Sequence, residues 1–409
     1  MDVDIVSWLN LAFRWLHLVT GIAWIGSSFY FIWLDNSLAK PADGKPGVSG
    51  ELWAVHGGGF YHKQKYMVAP EELPADLHWF KWEAYFTWIS GFLLLSVMYY
   101  YGAELYLIDS AKLDINRLQA IGLGLASLVG GWLVYDGLCK SPIGQKTSTF
   151  ALLWFLTLVG AAYGLTNIFS DRGAFIHVGA IIGTVMAANV FMIIIPNQRK
   201  VVAAMTAGET PDPALGKQAK QRSLHNNYMT LPVLLIMISN HYPMVFGHHL
   251  NWLLLAGLGI VGWMFRHFFN LKHVGKLRYE LAGGAVAGFL AIMFVAAIDR
   301  PAPDAPLTAD AEDAAAFSPA FVEARAVIDA HCVSCHSAAP THELFTAAPG
   351  GVMLNRPDQI QRYAAQIYQQ AVASDIMPLG NETGMTEAER ALLGAWIDDG
   401  ASLTVAQSQ

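Results

Sequence analysis

The chain has 409 residues, of which 54% are hydrophobic and only 14% charged, with 13 Trp, 15 Tyr and 21 Phe. So few charges among so many apolar side chains exclude an ordinary soluble globular protein and point to membrane-spanning helices. Charge is also unevenly divided: residues 301–409 carry four Arg, no Lys and fourteen acidic side chains, a net −10, against a net +3 for the first 300, so a small acidic module follows a large apolar one.

In chain order about eight spans are predicted, each near the roughly 20 residues that a bilayer core needs. They fall at 6–34, 80–101, 116–138, 148–168, 174–196, 225–245, 248–267 and 279–298, the sixth interrupted near its end by Asn240-His241-Tyr242-Pro243. Met1-Asp2-Val3-Asp4 lacks a basic n-region, so no cleavable leader is expected. Basic residues number 16 in loops 35–81, 139–147, 197–224 and 266–278, against three (Lys112, Arg117, Arg172) in the loops between them. Because basic loops stay on the cytoplasmic side, the N-terminus and everything after residue 300 are expected outside.

The first span carries Asn10, Arg14, His17, Trp24 and Ser28 in an otherwise apolar run. Ionisable groups at membrane depth are candidates for function. Arg14 and His17, three residues apart, share a helix face, and Gly21 one turn on leaves room beside the imidazole. A flat aromatic body fits there, either a substrate ring or a b-type haem with His17 as ligand. The plainer alternative is that Arg14 snorkels outward and His17 bonds a neighbouring helix.

The following inner loop holds Gly57-Gly58-Gly59-Phe60-Tyr61-His62, then Lys63, Lys65 and Tyr66, and leads to His78-Trp79-Phe80-Lys81-Trp82-Glu83. Glycine permits close approach, and aromatics with cations suit a planar anion; an interfacial segment at headgroup level explains them equally. Glu83, just inside the second span, is the less easily explained as an anchor. His177, His241, His248 and His249 fall near outer span ends, as candidates for a second haem ligand or for proton transfer, while Asp136 and His267 near the inner ends read as interfacial.

Residues 299–316 read as a Pro/Ala/Asp linker. Beyond them, Cys332-Val333-Ser334-Cys335-His336 has the spacing for covalent attachment of haem c, each thiol adding to one vinyl group and His336 ligating the iron. Met377, 41 residues downstream in Ile376-Met377-Pro378, is the candidate sixth ligand. A zinc half-site lacks ligands, since Cys139 is the only other cysteine. Phe321, Ala324, Val327 and Ile328 repeat at helical spacing ahead of the motif, and Thr386 with Glu389 forms a capping box before a closing helix. The expected fold is all-α: a polytopic membrane bundle over 1–298, the linker over 299–316 and a small cytochrome c-like helical domain over 317–409.

Taken together, Arg14-Trp15-Leu16-His17, Ala23-Trp24-Ile25-Gly26, Gly57-Gly58-Gly59-Phe60-Tyr61, Leu77-His78-Trp79-Phe80-Lys81-Trp82-Glu83-Ala84-Tyr85 and the haem motif with Met377 resemble the integral-membrane urate oxidase (urate hydroxylase) family, over essentially the whole chain. The first span is also similar, more weakly, to small membrane helices that bind b-type haem. The resemblance implies oxidation of urate with water to 5-hydroxyisourate, with electrons passing one at a time to haem c. It places the protein in a bacterial inner membrane, with its N-terminus and cytochrome domain periplasmic and a soluble cytochrome c or terminal oxidase as partner. Nucleic acid is not an expected partner. Arg14 would pair with the urate anion, Glu83 or His17 would take a proton, and Trp24 or Trp82 would stack on the purine. Whether urate enters from the inner or the outer face stays open, as does a competing reading in which quinol is the electron donor.

Overall fold

The computed structural model describes residues 5–41, 47–66, 70, 73–74, 76–109, 112–239, 241–298, 317–343, 345 and 348–404. The predicted linker 299–316 and the interrupting Asn240 lie outside the described residues.

Long apolar helices dominate. They are α1 (Ile5–Ser37), α2 (Trp82–Leu95), the short α3 (Ala103–Tyr106), α4 (Arg117–Lys140), α5 (Thr147–Thr166), α6 (Asp171–Ala188) and α7 (Ile195–Thr206). After them come α8 (Pro213–Ser239), the short α9 (Pro243–Phe246), α10 (Asn251–His273) and α11 (Tyr279–Ile298). Wider π-helical turns at Ser96–Tyr101 and Asn189–Ile194 extend α2 and join α6 to α7. Caps follow the sequence: the Asn116 side chain accepts from the Gln119 amide to start α4, and Ser170 accepts from Gly173 to start α6.

Among the described residues six helices, not eight, are long and apolar enough to cross a membrane: α1, α4, α5, the continuous stretch from α6 through α7, α10 and α11. The other two predicted spans are helical but differ in kind. The second is only 14 residues of α-helix before its π-helical extension. The sixth belongs to α8, which begins at Pro213 with a polar half bearing Lys217, Lys220 and Arg222 and stops at Ser239, short of the predicted 245.

Packing radiates from α6, whose Phe175, His177, Ile181, Ile182, Val185 and Met186 are buried against α2, α4, α5 and α8. Outward, α1, α4 and α11 expose Trp8, Trp15, Leu118, Leu133, Met293 and Phe294. Apolar surface on that scale suits lipid rather than water. The loops predicted as outer gather at one end: Ile108 bridges Phe169, Lys112 pairs with Asp171, and Asn251 donates to Asp171. Arg222, Asp136 and Lys140 join at the other.

The expectation of an all-α chain is corrected by one hairpin. Strands β1 (Val48–His56) and β2 (Gly59–Tyr66) pair antiparallel, Trp53 opposite His62 and His56 opposite Gly59. The glycines read as part of a ligand loop are its turn: Gly57 and Gly58 have φ of +57° and +78°, the left-handed pair that a two-residue hairpin turn demands. Lys65 pairs with Asp35 at 2.8 Å and Lys63 donates to the Tyr30 hydroxyl, clasping the hairpin to the end of α1.

Residues 317–404 enclose a separate apolar core of Phe321, Ile328, Ile360, Leu393 and Trp396. Its helices are α12 (Pro319–His331), α13 (Pro357–Arg362), α14 (Ala364–Ile367) and α15 (Glu387–Asp398). The capping box is present as expected: Thr386 accepts from the Glu389 amide while the Glu389 carboxylate accepts from the Thr386 amide at 2.7 Å. Among the described residues this module meets the bundle through Arg362 with Asp109 and Gln366 with the Leu105 carbonyl, and through Pro349–Gly351 packed on α9.

Candidate functional site

A cavity of about 580 Å³ opens among α1, α2, α6 and α8, within the size range of ligand sites. It brings together Arg14, His17 and Trp24, which the sequence singled out, with Arg172 and His241 from the end of the bundle that carries the module. Its walls are otherwise apolar, including Ile25, Leu95, Met98, Met186 and Met237.

His17 is oriented by α2. Its Nδ1 lies 2.9 Å from the Thr87 carbonyl and 3.3 Å from the Ser90 hydroxyl. A carbonyl only accepts, so Nδ1 carries the proton and Nε2 keeps a lone pair. The clearance for the ring comes from Gly91 rather than Gly21: a Cβ on Gly91 would stand 2.8 Å from His17 Cε1. Arg14 reaches back one turn to the Asn10 side-chain carbonyl through Nε and Nη2 at 3.2 and 3.0 Å. That partner is neutral, and among the described residues Arg14 has no carboxylate partner. Trp88, a further wall residue, is held by an indole hydrogen bond to Thr184 at 3.1 Å.

Arg172 was counted in the sequence only as a loop charge. It lines the cavity and places its guanidinium over the Tyr106 ring, 5.6 Å from the centroid. Two arginines thus border one mostly apolar chamber. Neither Arg172 nor the Thr87–Gly91 cradle is legible in a single span, because each becomes part of the site only when helices meet.

Glu83 and Trp82 do not line the cavity. Glu83 sits one turn before Thr87 on α2, and Trp82 is exposed and packs on Tyr85 and Phe86. His177 is sealed in the core, with Nδ1 donating to the Gly173 carbonyl at 2.8 Å and Nε2 3.3 Å from the Tyr100 hydroxyl. His248 and His249 stack at 4.6 Å and line a separate cavity of about 400 Å³ with Lys112 and Asp171. Asp136, read as interfacial, instead pairs with Arg222 and Lys140, both at 2.6 Å. His267 takes a 2.7 Å hydrogen bond with the Tyr228 hydroxyl.

In the module α12 ends directly at the paired cysteines. The His336 amide donates to the Cys332 carbonyl at 2.8 Å, closing a single turn, and both thiols are free. His336 Nδ1 donates to the Val352 carbonyl at 2.9 Å, which leaves the Nε2 lone pair uncommitted, an arrangement that would support a ligating imidazole. Burial holds His336 below the ordinary histidine range, opposed by that carbonyl, so its neutral form is favoured. Burial, with Asp329 and Cys335 beside it, pushes the Cys332 thiol up to about 12. The Met377 loop is pinned from within by buried Arg390, which donates to the Ala371 and Met377 carbonyls at 2.5 and 2.8 Å. Free thiols one turn apart, a backbone-oriented imidazole and a tethered thioether suit a thioether-linked haem, and among the described residues no group of three His, Cys, Asp or Glu side chains could hold a metal ion instead.

A family model described as urate oxidase N-terminal matches residues 3–297. No curated protein and no solved structure matches the chain.

Proposed function

The chain belongs to the urate oxidase N-terminal family, and from that premise we propose that the cavity oxidises urate to 5-hydroxyisourate and that the electrons leave through a c-type haem in residues 317–404. The observation that carries this reading is the meeting of Arg14, Arg172 and the Nε2 face of His17 in one chamber. Urate and water give 5-hydroxyisourate, two electrons and two protons. Arg14 and Arg172 hold the anionic purine through their planar forks. His17, proton-bearing at Nδ1, accepts a proton at Nε2 as the ring is oxidised, with the Thr87 carbonyl steadying the charged imidazole. Trp24 supplies a flat apolar wall. Glu83, outside the lining, takes no direct part.

Haem c would be held by Cys332, Cys335, His336 and Met377, and when bound it accepts one electron at a time. Two electrons therefore leave in succession, to a soluble cytochrome c or a terminal oxidase. The His17 lone pair has a competing use as ligand to a b-type haem, which non-covalent haem in a pyridine haemochrome assay of the purified protein would reveal. Residues 5–298 would lie in a bacterial inner membrane with the module on the periplasmic side. The deciding experiment mixes the oxidised protein anaerobically with urate, and separately with quinol, while recording the haem absorption. Reduction by urate alone supports the proposal; reduction by quinol alone replaces it with a respiratory electron-transfer role.

A further inference from the structure

The oxidising cavity and the module must exchange electrons, and the two regions meet beside that cavity at segment 102–109, as well as where Pro349–Gly351 packs on α9. We infer that the segment 102–109, between α2 and α4, is the seat on which the C-terminal module docks to receive electrons, latched by Arg362 to Asp109. This inference rests on the function proposed above.

On its module side, Arg362 at the end of α13 pairs with Asp109, whose side chain is only 2% exposed, and Gln366 on α14 donates to the Leu105 carbonyl. Tyr363, between them, is largely enclosed and lies within the field of Asp109 and Asp171. Arg362 is one of only four basic side chains in a module of net −10. Its commitment to an enclosed carboxylate therefore fixes the orientation of the module on the bundle.

The other side of the seat is the wall of the cavity. Tyr99 lines the cavity and meets Tyr106 edge-on at 6.3 Å, and Arg172 lies over the same Tyr106 ring. The backbone there is stitched to the start of α6: the Ser170 hydroxyl donates to the Tyr106 carbonyl at 2.6 Å and the Ser170 amide to Leu107 at 2.8 Å. Tyr106 thus touches two residues of the chamber, while its chain neighbours Leu105 and Asp109 hold the module. The two electrons from urate would pass one at a time across this seat to a haem held by Cys332, Cys335, His336 and Met377; of the two protons released, one goes to His17 Nε2 and the other to water.

The test is stopped-flow reduction of the haem in the full-length protein, with urate as donor and, in parallel, with dithionite. Arg362→Glu places like charges in contact at the seat. It should slow reduction by urate at least about ten-fold, since close interfacial charge pairs couple at that scale or above, while dithionite reduction stays at the wild-type rate. Combining Arg362→Glu with Asp109→Arg restores opposite charges and should recover most of the lost rate. Rising ionic strength should slow wild type and leave Arg362→Glu unaffected or faster. Arg362→Glu reducing at the wild-type rate with urate overturns the seat. Should wild-type haem not be reduced by urate at all, the proposed function fails, and the seat is then judged by a short bis-maleimide applied to the Asp109→Cys/Arg362→Cys protein. A cross-linked peptide between 109 and 362 supports the docking, and its absence overturns it.

Discussion

The two ends of the bundle each hold arginine against packed helices, and they treat it in opposite ways: Arg222 is buried, while Arg14 and Arg172 are not. Away from the module, Arg222 is 3% exposed and fully engaged: it bonds the Asn189 side chain at 3.1 Å and Asp136 at 2.6 Å, and lies over the Tyr135 ring. Toward the module, Arg14 leans on a neutral asparagine and Arg172 on an aromatic face, and both border open volume. A buried cation whose charge is met by a fixed carboxylate stabilises the fold and leaves nothing over for a ligand. Arg14, which among the described residues bonds a neutral asparagine and no carboxylate, keeps most of its attraction for an incoming anion. Histidines repeat the contrast, since His177 has both ring nitrogens engaged and His17 only one.

Four substitutions sharpen or break this contrast, from the largest expected effect to the smallest. Arg222→Ala leaves the Asp136 carboxylate enclosed with only Lys140 for company, and should cost about 3–5 kcal/mol of stability, read as a large fall in the thermal unfolding midpoint in detergent. Arg14→Ala should leave that midpoint nearly unchanged yet weaken urate binding by about 1.5–3 kcal/mol, the scale of a lost charged hydrogen bond. Equilibrium titration with urate measures it, and unaltered binding removes Arg14 from the site. Gly91→Ala drives a methyl group into the His17 ring and should cost about 1–3 kcal/mol of overpacking, with a fall in turnover larger than the fall in urate affinity.

The last concerns the module. Hydrogen bonds from the Thr386 amide and hydroxyl, and then His331, hold Glu389 down to about 2 from an ordinary 4.5. Its contribution is present above about pH 4.5 and is lost as pH falls toward 2. Glu389→Gln should therefore speed hydrogen exchange across Glu387–Asp398 at pH 5, with the difference from wild type closing as pH approaches 2.

Legibility in the sequence tracked locality. The turn from Cys332 to His336, the Thr386–Glu389 cap and the apolar helices are each defined by residues within a few turns of one another, so the sequence carries them locally. The same holds for the polar face of α1, because Arg14, His17 and Trp24 share one helix. It does not hold for the rest of the cavity, since Thr87, Gly91, Arg172 and His241 come from three other elements and carry no local signature. Glu83 carries a conspicuous charge near a span, and its place on α2 is one turn before Thr87, outside the cavity lining. The hairpin differs again: its Trp53-Ala54-Val55 and Phe60-Tyr61-His62 runs flank a two-glycine turn, a local strand pattern that the ligand-like chemistry of its lysines and aromatics masks.

The anchoring of α1 carries a consequence for how a molecule reaches the chamber. This helix supplies Arg14 and His17, yet none of its residues is buried, and it rests chiefly on α2. Its firmest ties are at the hairpin end, where Phe29 lies beneath the Arg266 guanidinium at 3.9 Å and Tyr30 and Asp35 meet the hairpin lysines. Above that end α1 is held by side-chain contacts, His17 to Thr87 and Asn10 to Met98, so its opening would be easiest there, where no buried residue resists it. Substrate entry and product escape would then follow the swing of α1, and stiffening its upper half should lengthen the dwell of whatever is inside.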